Sequence, residues 1–388
     1  PSGYPSPRLP LAYVFFAEQA QAFARRGVEI GVVYPELCTL RRLSLRALLG
    51  SRFQVETSVS SVGIHQFAWR GWNPGHARLR HRLFILGARR LLRRYIRERG
   101  RPDLIHCQGA IWGGVAGETL SREFDLPFVV TLHSSEILRA QLPPWKKTLV
   151  AKTLAHASRV FAVGQALATE ASRIAPSAEV EVCPNFINTE FFTAPERAIP
   201  SGPLSLLAVG RLISLKGHDV LLRALARSQS DANLRIAGAG AQGPALRDLA
   251  EKLGLAERVR FLGQLDREQL RQEYERAHAL VHPSRLETFG VVLVEALATG
   301  LPVVATACGG PQEILTPELG YLVPPDDVVS LSRALDELQA TYATRWAAAG
   351  PSCRAAAVER YSDEALVSRL RSVYREVTDE SKGSSAPG

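Results

Sequence analysis

Short apolar runs of four or five residues recur along the chain. Each is followed by a stretch with apolar residues at helical spacing. That alternation predicts an α/β fold with parallel sheets. In the first half, strands fall at 28–34, 104–107, 128–132, 160–163 and 180–183, with helices at 17–26, 80–99, 114–124, 145–156 and 166–174. In the second half, strands fall at 205–209, 234–237, 259–262, 279–281 and 302–305. Helices there fall at 218–228, 245–252, 267–276, 291–298, 328–341 and 364–377. A polar, Pro-bearing stretch from Thr193 to Pro203 separates the halves.

The pattern predicts two doubly wound, Rossmann-like domains, 1–184 and 185–362. A C-terminal helix over 363–380 is expected to pack back toward the first domain, and 381–388 to be a disordered Ser/Gly/Pro tail. A doubly wound domain ordinarily begins with a strand. This chain opens on a loop and a helix, so the first strand is expected to lie before residue 1. Ligands of such sheets bind beyond the carboxyl ends of the strands.

One helix breaks its own pattern. Glu295 is surrounded by Val291, Val292, Leu293, Val294, Ala296, Leu297 and Ala298. A carboxylate on an apolar helix is costly unless it is hydrogen-bonded. It is either a structural group satisfied by an amide or an Arg in the core, or a ligand site. Glu287 precedes the same helix, whose start is expected at Gly290. At 1.5 Å rise per residue the two carboxylates are roughly 10–12 Å apart. Glycosidase pairs sit at about 5–9.5 Å, so this spacing suits gripping two ends of one extended ligand. The amides of Phe289, Gly290 and Val291 would open a helix N-terminus between them, an anion site.

Composition excludes little: 46% of residues are hydrophobic and 22% charged, ordinary for a globular chain. No apolar run is long enough to span a membrane. Five scattered cysteines with no Cys-x-x-Cys pair support neither a disulfide framework nor a zinc knuckle, which points to a reducing, cytoplasmic setting. The charge is uneven. Residues 1–200 carry 26 Lys+Arg against 15 Asp+Glu, and residues 201–388 carry 21 against 23. From Arg70 to Arg101 there are eleven Arg and one acid, with Trp72, Phe84 and Tyr95 interleaved. That segment is either a solvated basic face or a surface for anionic membrane, and no nucleic-acid motif accompanies it.

Several loops carry candidate chemistry. Gly210 and Arg211 follow the first strand of the second half, and Lys216 lies on the same loop before a helix. Two cations on a strand-to-helix loop suit a diphosphate, and also describe an ordinary exposed loop. Gly238 and Gly240 resemble a dinucleotide glycine loop, but no ribose-binding acid follows at the expected distance. Gly309 and Gly310 form a tight turn or a close approach to ligand. His133 ends the apolar strand at 128–132, and His106 ends the strand before it.

Together these residues resemble the retaining glycosyltransferases of family four, with the GT-B fold of two Rossmann-like domains facing across a cleft. The resemblance rests on Ser284-Arg285-Leu286-Glu287-Thr288-Phe289-Gly290 through Glu295, on Gly210-Arg211 with Lys216-Gly217, and on Gly309-Gly310 with Glu313. Thr131 with His133, and Phe16-Ala17-Glu18-Gln19-Ala20, add to it. It implies that Glu287 grips hydroxyls of a donor sugar, helped by amides at Phe289 and Gly290. Glu295 would bind the nucleotide ribose. Arg211 and Lys216 would hold the diphosphate of a UDP- or GDP-sugar, and His133 would contact the donor sugar near the reacting centre. It also implies retention of anomeric configuration without a metal, and a glycan or lipid-linked acceptor at the inner membrane face. Many members have a glycine-bearing first loop; here that region reads Leu11-Ala12-Tyr13, with Gly3 nearby. A sugar-nucleotide epimerase or a catalytically silent sugar-nucleotide-binding protein would share the fold.

Overall fold

The computed structural model describes residues 1, 3–5, 13–38, 55–73, 75–196 and 199–384. The chain folds as two units. One comprises Pro1–Val163, Leu167–Cys183 and the chain from Leu366 onward; the other comprises Gly164–Ala166 and Pro184–Ala365. The helix Asp363–Ser384 therefore begins in the second unit and runs on within the first.

The first unit carries two sheets. Strands β1 (Gly31–Cys38), β2 (Val55–Val59) and β3 (His65–Trp72) form the order β1-β3-β2. β1 and β3 are parallel with Val33 opposite Phe67, and β2 is antiparallel to β3. Strands β4 (Ile105–Gln108), β5 (Phe128–Leu132), β6 (Arg159–Ala162) and β7 (Val180–Val182) form a second sheet, all parallel. Every residue of β5 is buried, the continuous apolar run expected of a strand covered on both faces. β2 and β3 were not expected from the sequence. Their apolar residues are interrupted by Glu56, Gln66 and Arg70, and only the pleat separates Phe67 and Trp69 from Ala68 on the other face.

The second unit is a single six-stranded sheet of β8 (Ser205–Val209), β9 (Asn233–Ala237), β10 (Val259–Gly263), β11 (Ala279–His282), β12 (Val303–Thr306) and β13 (Gly320–Val323). The order β10-β9-β8-β11-β12-β13 with parallel pairing is that of a doubly wound sheet. The sequence did not reveal β13, a four-residue strand with two buried residues, Gly320 and Val323. A helix at Gly350–Tyr361 was also unanticipated.

One expectation is corrected. The tail at 381–388 is helical as far as Ser384, because Asp379, Glu380 and Lys382 continue the helix and Glu380 pairs with Arg159 at 2.9 Å. Residues 385–388 lie outside the described residues, as do Leu11 and Ala12 of the first loop. Two of the interleaved aromatics of the basic segment are core residues. In the helix Ala77–Arg99, Phe84 and Tyr95 pack into the core with Phe67 and Trp69. Arg89 and Arg93 both hold Glu123, Arg94 holds Glu98, and Arg99 reaches Glu29. The side chains of Arg70 and Trp72 lie outside the description. No described helix is long and apolar enough to cross a membrane.

Candidate active site

In the second unit the strand order reverses between β8 and β11, so the loops after these two strands lie at the switch point. Their backbones touch. A Cβ on Gly217, which has φ +65°, would sit 1.9 Å from the carbonyl oxygen of Pro283. Arg285 locks the two loops together. It donates to the Ser214 carbonyl, pairs in bidentate fashion with Asp219 at 2.9 and 2.8 Å, and reaches Asp326 at 2.6 Å. Hydrogen-bonded pairing with Asp219, only partly offset by burial, raises the Arg285 pKa further.

That packing brings Lys216 onto Glu287, where the ammonium donates to Oε2. His282, from the end of β11, meets the same oxygen at 3.1 Å. Burial alone would raise the Glu287 carboxyl. The Lys216 charge and the His282 hydrogen bond override it and hold the pKa at about 2. His282 is driven the other way, down from its ordinary value, because burial outweighs its bond to Glu287. Lys216, expected on a diphosphate, and Glu287, expected on a donor sugar, thus form one partly buried ion pair. Arg211 is exposed and has no ion-pair partner among the described residues. His218 is buried, with its pKa lowered to about 4 chiefly by burial, and its ring lies behind Gly210.

The Glu287 loop is held from the other side by the turn after β12. Glu287 N–H donates to the Cys308 carbonyl and Gly310 N–H donates to the Glu287 carbonyl, both at 3.0 Å. A Cβ on Gly310 would lie 2.0 Å from the Phe289 carbonyl oxygen. Gly310 therefore serves a backbone approach within the protein. Phe289 is buried and meets Tyr361 edge-on. Gly290, at φ +101°, caps the helix Val291–Ala298, so the expected helix start is where the structure has it. Gly238 and Gly240 pack against the Gly210 and Leu212 carbonyls, where Cβ atoms would approach to 1.9 and 2.3 Å. Loop-against-loop packing accounts for both glycines.

Glu295 is 2% exposed. Arg267 donates to its Oε1 at 2.5 Å and the Tyr274 hydroxyl to its Oε2 at 2.9 Å. Burial, and then the Glu295 charge, raise the Tyr274 pKa well above its usual value and keep the phenol protonated as a donor. Of the two roles left open for Glu295, the structure fills the core-satisfied one. An ionised carboxylate has about four lone-pair sites, and these two donors leave acceptor capacity. Arg267, Tyr274, His282 and Arg285 escaped the sequence reading as site residues. Only His282 and Arg285 carried a signal, by adjoining the Glu287 motif at a strand end.

In the first unit, His133 and His106 belong to one polar network. His133 Nε2 lies 2.8 Å from Gln108 Oε1, which makes Nε2 the protonated nitrogen, and Nδ1 has no partner among the described residues. Gln108 donates to Gln19 at 2.5 Å. His106 bonds Tyr374 through Nδ1 at 2.5 Å and Thr131 through Nε2 at 2.7 Å. Burial pushes both imidazoles down to about 3, so both are neutral at physiological pH. His106 is thus a structural tie to the C-terminal helix. Gly3 packs under the ring of Tyr13, which would lie 2.4 Å from a Cβ there. Tyr13 itself is left-handed at φ +59° and caps the first helix. Among the described residues no three His, Cys, Asp or Glu side chains are grouped to hold a metal ion.

Comparison with known proteins agrees with this architecture. Residues 13–191 match the family described as Glycosyltransferase Family 4, and residues 191–349 match Glycosyl transferases group 1. The chain is 31% identical over 319 residues to D-inositol 3-phosphate glycosyltransferase 1 of Catenulispora acidiphila, covering 74% of this chain and 75% of that one. It is 33% identical over 250 residues to a glycogen synthase of Mycobacterium tuberculosis, but spans only 59% of that protein's length. Its fold is shared with sucrose-phosphate synthase from Thermosynechococcus elongatus, at TM-score 0.77 and 24% identity, over 95% of this chain and 93% of that one. It is also shared with Anabaena Alr3699/HepE in complex with UDP and glucose, at TM-score 0.72 and 20% identity, over 96% and 98%. The chain belongs to glycosyltransferase family four and has the GT-B fold of two Rossmann-like domains.

Proposed function

We propose that the protein transfers a hexose from a UDP- or GDP-sugar to a hydroxyl of a glycan or phosphate-bearing acceptor, with retention of configuration and without a metal. The observation that carries this reading is the partly buried Lys216–Glu287 pair at the switch point of the second unit. The nucleotide diphosphate would compete with Glu287 for the Lys216 ammonium, and exposed Arg211 on the same loop would supply a second cation. Charge developing on the leaving phosphate then meets fixed cations, the kind of stabilisation that a metal supplies elsewhere. Glu287, released from Lys216, becomes free to accept from sugar hydroxyls. Glu295 would take ribose hydroxyls on its remaining lone pairs. Relatives are named glycogen synthase and D-inositol 3-phosphate glycosyltransferase, which supports a polyhydroxyl acceptor.

In the reaction the bond between the anomeric carbon and the diphosphate oxygen breaks. The acceptor oxygen bonds the same face of that carbon, and its proton passes to the departing phosphate. The test is to titrate UDP-, GDP- and ADP-sugars in the presence of EDTA and follow slow donor hydrolysis by mass spectrometry. Binding and turnover of at least one donor are expected. No binding to any of them would overturn the transferase reading, and loss of turnover in EDTA would overturn its metal independence.

A further inference from the structure

His282 is the last residue of β11, the strand beside β8 at the switch point. β11 lies inside the six-stranded sheet, and His282 pairs in register with Ala305 of β12. Its side chain is 3% exposed. A polar ring buried that deeply is costly without a hydrogen bond, and Nε2 finds one on Glu287 Oε2 at 3.1 Å. An ionised carboxylate only accepts, so Nε2 carries the proton and the imidazole donates.

Two donors of different kinds therefore share Oε2. Lys216 closes a loop turn, Ser214–Lys216, and holds its ammonium on a flexible four-carbon stem. His282 stands on a laddered strand end with a short, rigid ring. Oε1 takes no hydrogen bond from the described residues. The ring is not needed to hold the loop, because the Cys308 carbonyl and the Gly310 amide already fix the Glu287 backbone. When a diphosphate draws the ammonium away, Oε2 loses one donor and keeps the other. The ammonium can follow a ligand; the ring cannot.

We propose that His282 is a positioning residue of the donor site: it holds Glu287 by Oε2 while Lys216 serves the diphosphate, so that Oε1 meets the sugar hydroxyls at one fixed place. The proposal rests on the donor roles inferred for Lys216 and Glu287. No proton moves between ring and carboxylate. Glu287, held at about 2, stays anionic, and burial keeps His282 neutral, so the imidazole acts through its one N–H.

The experiment uses the full chain and the nucleotide sugar that it hydrolyses fastest in the donor panel. His282→Gln keeps an N–H near the place of Nε2, whereas the shorter His282→Asn keeps one only near the place of Nδ1. His282→Asn should lower kcat for donor hydrolysis about 10- to 100-fold, while His282→Gln stays within about 5-fold of wild type. Free UDP or GDP should bind both variants within about 3-fold of wild type by calorimetry, because Glu287 is assigned to the sugar and not to the nucleotide. Equal kcat in wild type and His282→Asn would overturn the proposal. So would equal losses in both variants, or a loss of nucleotide binding that parallels kcat, which would mark a merely structural ring. If His282→Asn does not fold, His282→Leu, which fills more of the volume, takes its place; failure of both to fold would assign the ring to stability alone and overturn the proposal. A wild-type chain that neither binds nor hydrolyses any donor overturns the transferase reading and this inference together, whereas the other outcomes overturn this inference alone.

Discussion

Replacing Lys216 with Met removes the cation from a carboxylate that stays largely shielded from water. The Glu287 side chain is 15% exposed and Lys216 19% exposed. A carboxyl held at about 2, where 4.5 is ordinary, corresponds to about 3 kcal/mol of preference for the charged form in the folded state. A depressed carboxyl contributes stability that is present above the unfolded value, near 4.5, and lost as pH falls through about 2. Lys216→Met should therefore cost about 3 kcal/mol at pH 7 by urea unfolding, in line with breaking a buried pair. Its stability should also be flatter than wild type between pH 4.5 and 2. Lys216→Met with Glu287→Gln should recover most of that loss, because no buried charge is then stranded. Donor hydrolysis should fall about 100- to 1,000-fold in both variants, so stability and turnover part company in the double variant. A single variant within about 0.5 kcal/mol of wild type at pH 7 would refute the reasoning.

Glu287→Gln alone should abolish turnover yet retain or tighten UDP binding by calorimetry, since it releases Lys216; parallel loss of both would contradict the assigned roles. Tyr274→Phe leaves Glu295 short of a buried donor and should cost about 1–3 kcal/mol in chemical unfolding; an unchanged midpoint would show that the bond contributes nothing. Gly310→Ala forces a Cβ onto the Phe289 carbonyl and should lower Tm and donor turnover together; normal activity would mean the turn relaxes freely. His133 and His106 should remain neutral by NMR from pH 8 down to about 4. Unfolded imidazoles protonate near 6.5, so these two groups withdraw stability as pH falls below that value. Titration of either near 6.5 in the folded protein would refute the burial argument.

Most strands and helices of both units were legible in the sequence, because parallel strands covered on both faces are unbroken apolar runs and the helices between them keep a 3.6-residue period. β2 and β3 escaped because each pairs within a small sheet where the pleat mixes polar and apolar residues. The sequence also determined that Glu287 and Glu295 flank a helix start at Gly290, since that is local geometry. It did not determine what each carboxylate touches. Lys216 lies 71 residues from Glu287 and Arg267 lies 28 from Glu295. Such partners are chosen by strand order and by glycines that let loops meet backbone to backbone. Likewise, eleven arginines in one segment could be counted from the sequence. Only the tertiary structure decided that Glu123, Glu98 and Glu29 pair with four of them and that the core takes the adjoining aromatics, because charge and apolar area find their partners through packing.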